Sequence, residues 1–101
     1  MEKVGNVQLN YEYYSGTDDY SDGAIELELL DYVKSDKSIM EILKNDNRWP
    51  ILYHLSPVRK NILEWYPFDK NEEALEIGSG CGAVTGALCE KLKSVTCIEL
   101  S

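Results

Sequence analysis

Leu75-Glu76-Ile77-Gly78-Ser79-Gly80-Cys81-Gly82 is the stretch that decides how this chain folds. An apolar run carrying one acid ends in three glycines at alternate positions, and a segment with helical spacing follows. A second apolar run, Val95-Thr96-Cys97-Ile98, then ends in Glu99. The order strand, glycine loop, helix, strand, acid is the one through which α/β domains hold adenosine-containing ligands. Glycines at 78, 80 and 82 let the chain turn sharply at a strand end and let a ligand approach the backbone closely. The N–H groups opening the next helix would favour a carboxylate or phosphate. Glu99 lies 21 residues after Gly78, where an acid at a strand tip can accept two hydrogen bonds from ribose hydroxyls.

Outward from this stretch, the pattern predicts strands over Ala74–Ile77 and 95–98. A helix over about 82–92 is expected between them, with Val84, Ala87, Leu88 and Leu92 facing the sheet. Upstream, Ser56-Pro57 is a helix start: the serine caps, and proline needs no N–H at the first helical position. Val58, Ile62, Trp65 and Tyr66 then make one apolar stripe, and Pro67 stops the helix. Ser38-Ile39-Met40-Glu41 has the form of a capping box, with Asn45-Asp46-Asn47 ending that shorter helix. Asp22 is a plausible N-cap for a helix over 23–34 whose buried face would carry Ile25, Leu29, Tyr32 and Val33. Alternation of Val7, Leu9, Tyr11 and Tyr13 with polar residues predicts a half-buried strand or hairpin arm over 6–14, followed by a turn from Ser15 to Gly23. The boundary falls near residue 50, dividing an acidic N-terminal region (1–50) from the nucleotide-binding portion (51–101).

A length of 101 residues suits one small domain. A doubly wound sheet needs about five to seven strands. Two follow the motif order here, so we expect the remainder of the sheet to lie outside these residues. The net charge is -8, with eleven acids against five bases in residues 1–50 and seven against five in 51–101. No basic patch is present, so the sequence carries no nucleic-acid footprint, and the acidic balance argues against anionic membranes. Cys81, Cys89 and Cys97 are odd in number and spaced by eight. They form neither a disulfide framework nor a zinc pattern and read as reduced thiols. With no signal peptide and no apolar run approaching eighteen residues, a cytoplasmic location is expected and membrane insertion is not.

Two ligand classes compete for the loop. A dinucleotide fingerprint would use Gly78, Gly80 and Ala83. S-adenosylmethionine is the alternative, and Glu76 favours it. A carboxylate two places before the first glycine would repel a pyrophosphate, but suits a ligand carrying an ammonium and a sulfonium. Over residues 74–99 the chain resembles class I S-adenosylmethionine-dependent methyltransferases. Their first motif is an apolar strand, an acid, one apolar residue and alternate glycines, as in Leu75–Gly82. Ser56–Phe68 also looks like the helix preceding the first strand in bacterial enzymes of this class. The resemblance implies an incomplete Rossmann-like α/β domain, β-α-β with a glycine loop, preceded by a mostly helical region with one short strand or hairpin. It implies that Glu76 helps hold the amino-acid end of the donor. Gly78, Ser79, Gly80 and Gly82 would line its methionine and ribose portions, and Glu99 would bind the ribose hydroxyls. The methyl acceptor and the catalytic residues are not implied. Similar segments occur beside glycosyltransferase domains in bacterial cell-surface biosynthesis, so a fused domain of that kind is a possible companion. These residues alone are expected to be inactive as a methyltransferase.

Other residues have blander readings. His54, the lone histidine, could act as a general base but is expected to pack or face solvent. Arg59 could meet the donor carboxylate, though a solvated helix charge is the simpler reading. Cys81 is expected to fill a small loop position rather than react. Asp18, Asp22 and Gly23 hint at a calcium loop, but Tyr20 and Leu29 occupy ligand positions of that template, so no metal is expected. Tyr11, Tyr13, Tyr14 and Tyr20 could stack on an aromatic acceptor, with ordinary packing preferred. Two other function classes stay open: a fragment of an NAD(P)-dependent oxidoreductase, and a non-catalytic interaction module using the acidic residues 1–50.

Overall fold

The computed structural model describes residues 1–17 and 23–100. Asp18, Tyr20 and Asp22 lie outside the described residues, and with them the Asp22 cap, the calcium-loop reading and one of the four tyrosines. Among the described residues, nine regular elements and one 3-10 turn follow in chain order. The chain begins with strands β1 (Glu2–Val4) and β2 (Val7–Leu9), an antiparallel hairpin turned at Gly5 with φ +60°. The strand expected over 6–14 is therefore confined to 7–9. Asn10 ends it: its side-chain oxygen accepts from the Glu12 N–H at 2.9 Å, and Tyr14 N–H bonds Tyr11 O at 3.0 Å, closing a turn. The hairpin is also exposed rather than half-buried, with Val4, Val7 and Tyr13 all open to solvent.

Three helices follow: α1 (Ala24–Lys34), α2 (Ile39–Asn45) and α3 (Trp49–Leu55). Leu29, Ile42, Ile51 and Leu55 form their common core, with Ile25, Tyr32 and Leu43 packed against it. Val33, expected on the buried face of α1, is exposed. It stands next to Tyr32 in sequence, and α1 offers only a narrow stripe to α2 and α3. Ser38 caps α2 by accepting the Glu41 N–H at 3.2 Å. No helix was expected at α3. Pro50 is compatible with it, because at the first turn of a helix its missing N–H has no intrahelical role.

The α1 helix is braced to the α2–α3 junction by polar groups. Arg48 reaches Glu28 at 3.0 Å and Asp46 at 2.8 Å, and Tyr32 Oη donates to Asp46 at 2.7 Å. The hydrogen bonds from Arg48, and then that from Tyr32, hold the Asp46 carboxyl well below the usual carboxylate range. In return Asp46 pushes the Tyr32 phenol above its ordinary value.

After α3, Ser56 accepts the Val58 N–H, and Pro57–Lys60 forms a 3-10 turn that runs into α4 (Asn61–Glu64). The expected helix is thus short and tight. Its stripe does not become core: Val58, Ile62, Trp65 and Tyr66 are all exposed, because among the described residues no element covers them. Then come β3 (Glu73–Ile77), α5 (Thr85–Lys91) and β4 (Ser94–Ile98). β3 and β4 pair in parallel, in register from Glu73 opposite Ser94 to Ile77 opposite Ile98. α5 starts later than expected, because the left-handed backbone of Gly82 (φ +80°) cannot enter an α-helix. Its Ala87 is buried, and Val84, Leu88 and Leu92 are half-buried, so the expected face does point inward. On β3, Ala74 and Glu76 are half-buried while Leu75 and Ile77 alternate to a bare face shared with Ile98.

Candidate functional site

The loop between β3 and α5 is held by its own backbone. Gly78 N–H continues the strand pairing by bonding Ile98 O at 2.8 Å, and Gly82 N–H bonds Ser79 O at 2.9 Å. Gly78, Gly80 and Gly82 adopt φ of +75°, +55° and +80°. A side chain would strain the backbone at each turn, although nothing lies within 4 Å of a Cβ placed at Gly78 or Gly80. Glu99 closes the loop from the end of β4: Oε2 accepts the Gly80 N–H, and Oε1 accepts the Leu100 N–H at 2.8 Å. The carboxylate thus organises the loop itself, a role the sequence reading did not include. The three glycine N–H groups are engaged inside the chain, so the loop does not present them as an open anion cradle.

Glu76 lies beneath the loop on the half-buried face of β3. Thr85 Oγ1 donates to its Oε2 at 2.6 Å, which ties the first turn of α5 to the strand. Cys97 Sγ–H, from the paired position on β4, donates to the same oxygen at 3.5 Å. Both of these bonds use Oε2, so among the described residues Oε1 is left to accept a cationic group. Cys97 is exposed as a residue, but its sulfur is turned toward this carboxylate. Partial burial of the sulfur, followed by the Glu76 hydrogen bond and charge, pushes its thiol above the ordinary cysteine value.

A cavity of about 250 Å³ opens between the loop and α3. Glu76, Gly78, Ser79 and Gly80 line one side with Ala83 and Val84, and Trp49, Pro50, Tyr53 and His54 line the other. Four of the six expected binding residues therefore converge on one space. Gly82 and Glu99 are not part of its lining. The α3 wall was missed. Its signal was present in the i, i+4 pairs Trp49/Tyr53 and Pro50/His54, which a helix over Trp49–Leu55 makes neighbours. The Trp49 and Tyr53 rings stack at 5.9 Å and 28°, and His54 meets Tyr53 edge-on at 5.2 Å. His54 Nδ1 is 2.8 Å from Pro50 O. A carbonyl can only accept, so Nδ1 carries a proton and donates to Pro50 O. The histidine is thus a half-buried cavity residue, not a surface one.

Arg59 is not a solvated charge. Its Nε donates to Ala83 O and its Nη1 to Ser56 O. Cys81 is exposed in the loop. Tyr11 and Tyr14 contact each other at 6.0 Å and, like Tyr13, stand apart from the cavity lining. Among the described residues, no group of three or more histidine, cysteine, aspartate or glutamate side chains is placed to hold a metal ion. No described helix is long and apolar enough to cross a membrane.

Comparison with known proteins adds one similarity. Over 43 residues the chain is 44% identical to ribosomal RNA small subunit methyltransferase A of Fusobacterium nucleatum subsp. nucleatum. The match covers 43% of this chain and 16% of that protein, so the similar segment spans a small part of that relative's length. No protein-family profile matches the chain, and no solved structure matches it.

Proposed function

We propose that this chain is the donor-binding beginning of a class I S-adenosylmethionine-dependent methyltransferase, with a Rossmann-like sheet that starts at β3. The observation that carries the reading is the convergence of Glu76, two residues ahead of the first glycine, with Gly78, Ser79 and Gly80 on one cavity. The partial identity to a methyltransferase is in keeping with it. The residues fit the donor's chemistry. Glu76 offers a carboxylate oxygen to the donor's ammonium, and close to the sulfonium its negative charge is favourable. At Gly78 and Gly80 the loop offers bare backbone to the cavity. Glu99, the acid that ends β4, would meet the ribose hydroxyls.

The bound donor supplies a methyl group already activated as a sulfonium, and the protein's part is positioning and electrostatics. Glu76 orients the amino-acid end, the loop fixes the ribose side, and the α3 wall limits water around the ligand. The relative's name specifies ribosomal RNA. With a net charge of -8, this chain does not offer a phosphate backbone an electrostatic hold, so its acceptor is left unassigned.

Calorimetry with S-adenosylhomocysteine and with reduced nicotinamide dinucleotide tests the reading. The first should bind at least about tenfold tighter, a gap of ~1.4 kcal/mol. Glu76→Gln should narrow that gap. The reverse order of affinities would favour a nicotinamide-dependent oxidoreductase, and binding of neither would overturn the donor site.

A further inference from the structure

We propose that Arg59 is a positioning residue: its guanidinium straps the end of α3 to the end of the glycine loop and so sets the width of the cavity between them. This rests on the donor-site reading above for its functional consequence, but not for its geometry.

Arg59 sits in the 3-10 turn and bridges two backbone carbonyls that belong to opposite walls. Ser56 O lies at the C-terminus of α3, where Ser56 N–H still bonds Leu52 O at 2.9 Å. Ala83 O lies between the last loop glycine and α5, and Ala83 is buried and lines the cavity. Arg59 joins no ion pair among the described residues, and both of its side-chain hydrogen bonds go to main-chain oxygens. The other ties across this junction are weaker. Lys60–Glu90 at 3.2 Å and Lys91–Glu64 at 3.5 Å are ion pairs whose glutamates are mostly open to solvent, a kind that contributes little.

The loop needs such a tie. A backbone with three left-handed glycines has little intrinsic preference for one path, and its hydrogen bonds to Ile98 and Glu99 tie it to β4, not to α3. A planar fork can reach two carbonyls at once in a fixed relation. A lysine ammonium is a point charge on a flexible stem and cannot reproduce that bridge. The cation also keeps its place without a carboxylate partner, because two carbonyl dipoles point at it from both walls.

The experiment compares the intact chain with R59K, and with K60Q as a control for the neighbouring surface pair. Amide hydrogen exchange at residues 79–84 should rise about tenfold in R59K, equivalent to ~1.4 kcal/mol of local opening, while amides in α1 and α2 keep their protection. S-adenosylhomocysteine affinity should fall by a similar factor, and K60Q should change neither. Unchanged loop exchange in R59K, or an equal rise across the three helices, would overturn the strap. If the wild-type chain binds no S-adenosylhomocysteine, the donor reading fails and the exchange data still decide the role of Arg59. Should R59K not fold, the wild type answers alone. The Arg59 Nε–H must be protected and show a scalar coupling across its hydrogen bond to the Ala83 carbonyl carbon. Absence of both overturns the proposal.

Discussion

Replacing Ile51 by alanine tests whether the α3 wall is held by packing from behind. Ile51 is fully buried, the most enclosed side chain of the core it shares with Leu29, Ile42 and Leu55. The substitution removes three carbons, worth ~2.4 kcal/mol at ~0.8 kcal/mol for each methylene equivalent. If the three helices collapse only partly, a residual void of roughly 60 Å³ adds about 1.4 kcal/mol at ~24 cal/mol per Å³. The expected loss is therefore about 4 kcal/mol, a large share of the ~5–15 kcal/mol usual for a domain of this size. Urea unfolding followed by far-ultraviolet circular dichroism measures it. Leu27→Ala, on the exposed side of α1, is the control and should cost under ~0.5 kcal/mol. Because α3 also carries Trp49 and Tyr53, the near-ultraviolet signal of their stacked rings should weaken in I51A before the midpoint. A loss below ~1 kcal/mol would refute the reasoning, since it would mean that α3 is not seated on this core.

Two further outcomes follow from the titrating groups. Asp46 is stabilised as a carboxylate in the folded chain, so its contribution is present above the unfolded value of ~3.9 and is lost as the pH falls below that range. D46N should therefore lower stability at pH 7 and flatten the acid limb of the stability curve; parallel curves for D46N and wild type would contradict the Arg48–Asp46–Tyr32 brace. Cys97, whose thiol is raised by partial burial and by Glu76, should be alkylated by iodoacetamide several-fold more slowly than Cys89 at pH 8, and E76Q should speed it up. Equal rates at both cysteines, read by peptide mass spectrometry, would separate Cys97 from Glu76.

The glycine loop was legible in the sequence because its constraint is local. A backbone that must take φ above zero three times within five residues leaves glycine as the residue for each turn, and the strands on both sides announce themselves by short apolar runs. Glu76 was legible for a similar reason, since its distance from the first glycine is fixed by the strand it closes. The Ser38 cap and the Ser56-Pro57 start are equally local, and the structure has both. The residues after Pro57 were over-read. Their 3.6-residue stripe promised a buried helix, but periodicity shows only which side chains share a face. Whether that face finds a partner depends on the rest of the fold, and here Ile62 and Trp65 stay exposed.

What the sequence by itself determined was a sharp turn between two parallel strands, with an acid beneath it and an acid at the end of the second strand. Only the tertiary structure decided what faces that turn. Trp49, Tyr53 and His54 lie more than twenty residues upstream, on a helix whose first turn carries a proline, and reach the loop only because Ile51 and Leu55 are buried on the opposite side. Glu99 and Arg59 changed meaning for the same reason. Each is a charged side chain whose sequence neighbours suggest solvent or ligand, yet folding brings backbone N–H and C=O groups within its reach. Such pairings join residues 19 and 24 positions apart. No periodicity encodes them, because they are set by how two walls of a cavity meet.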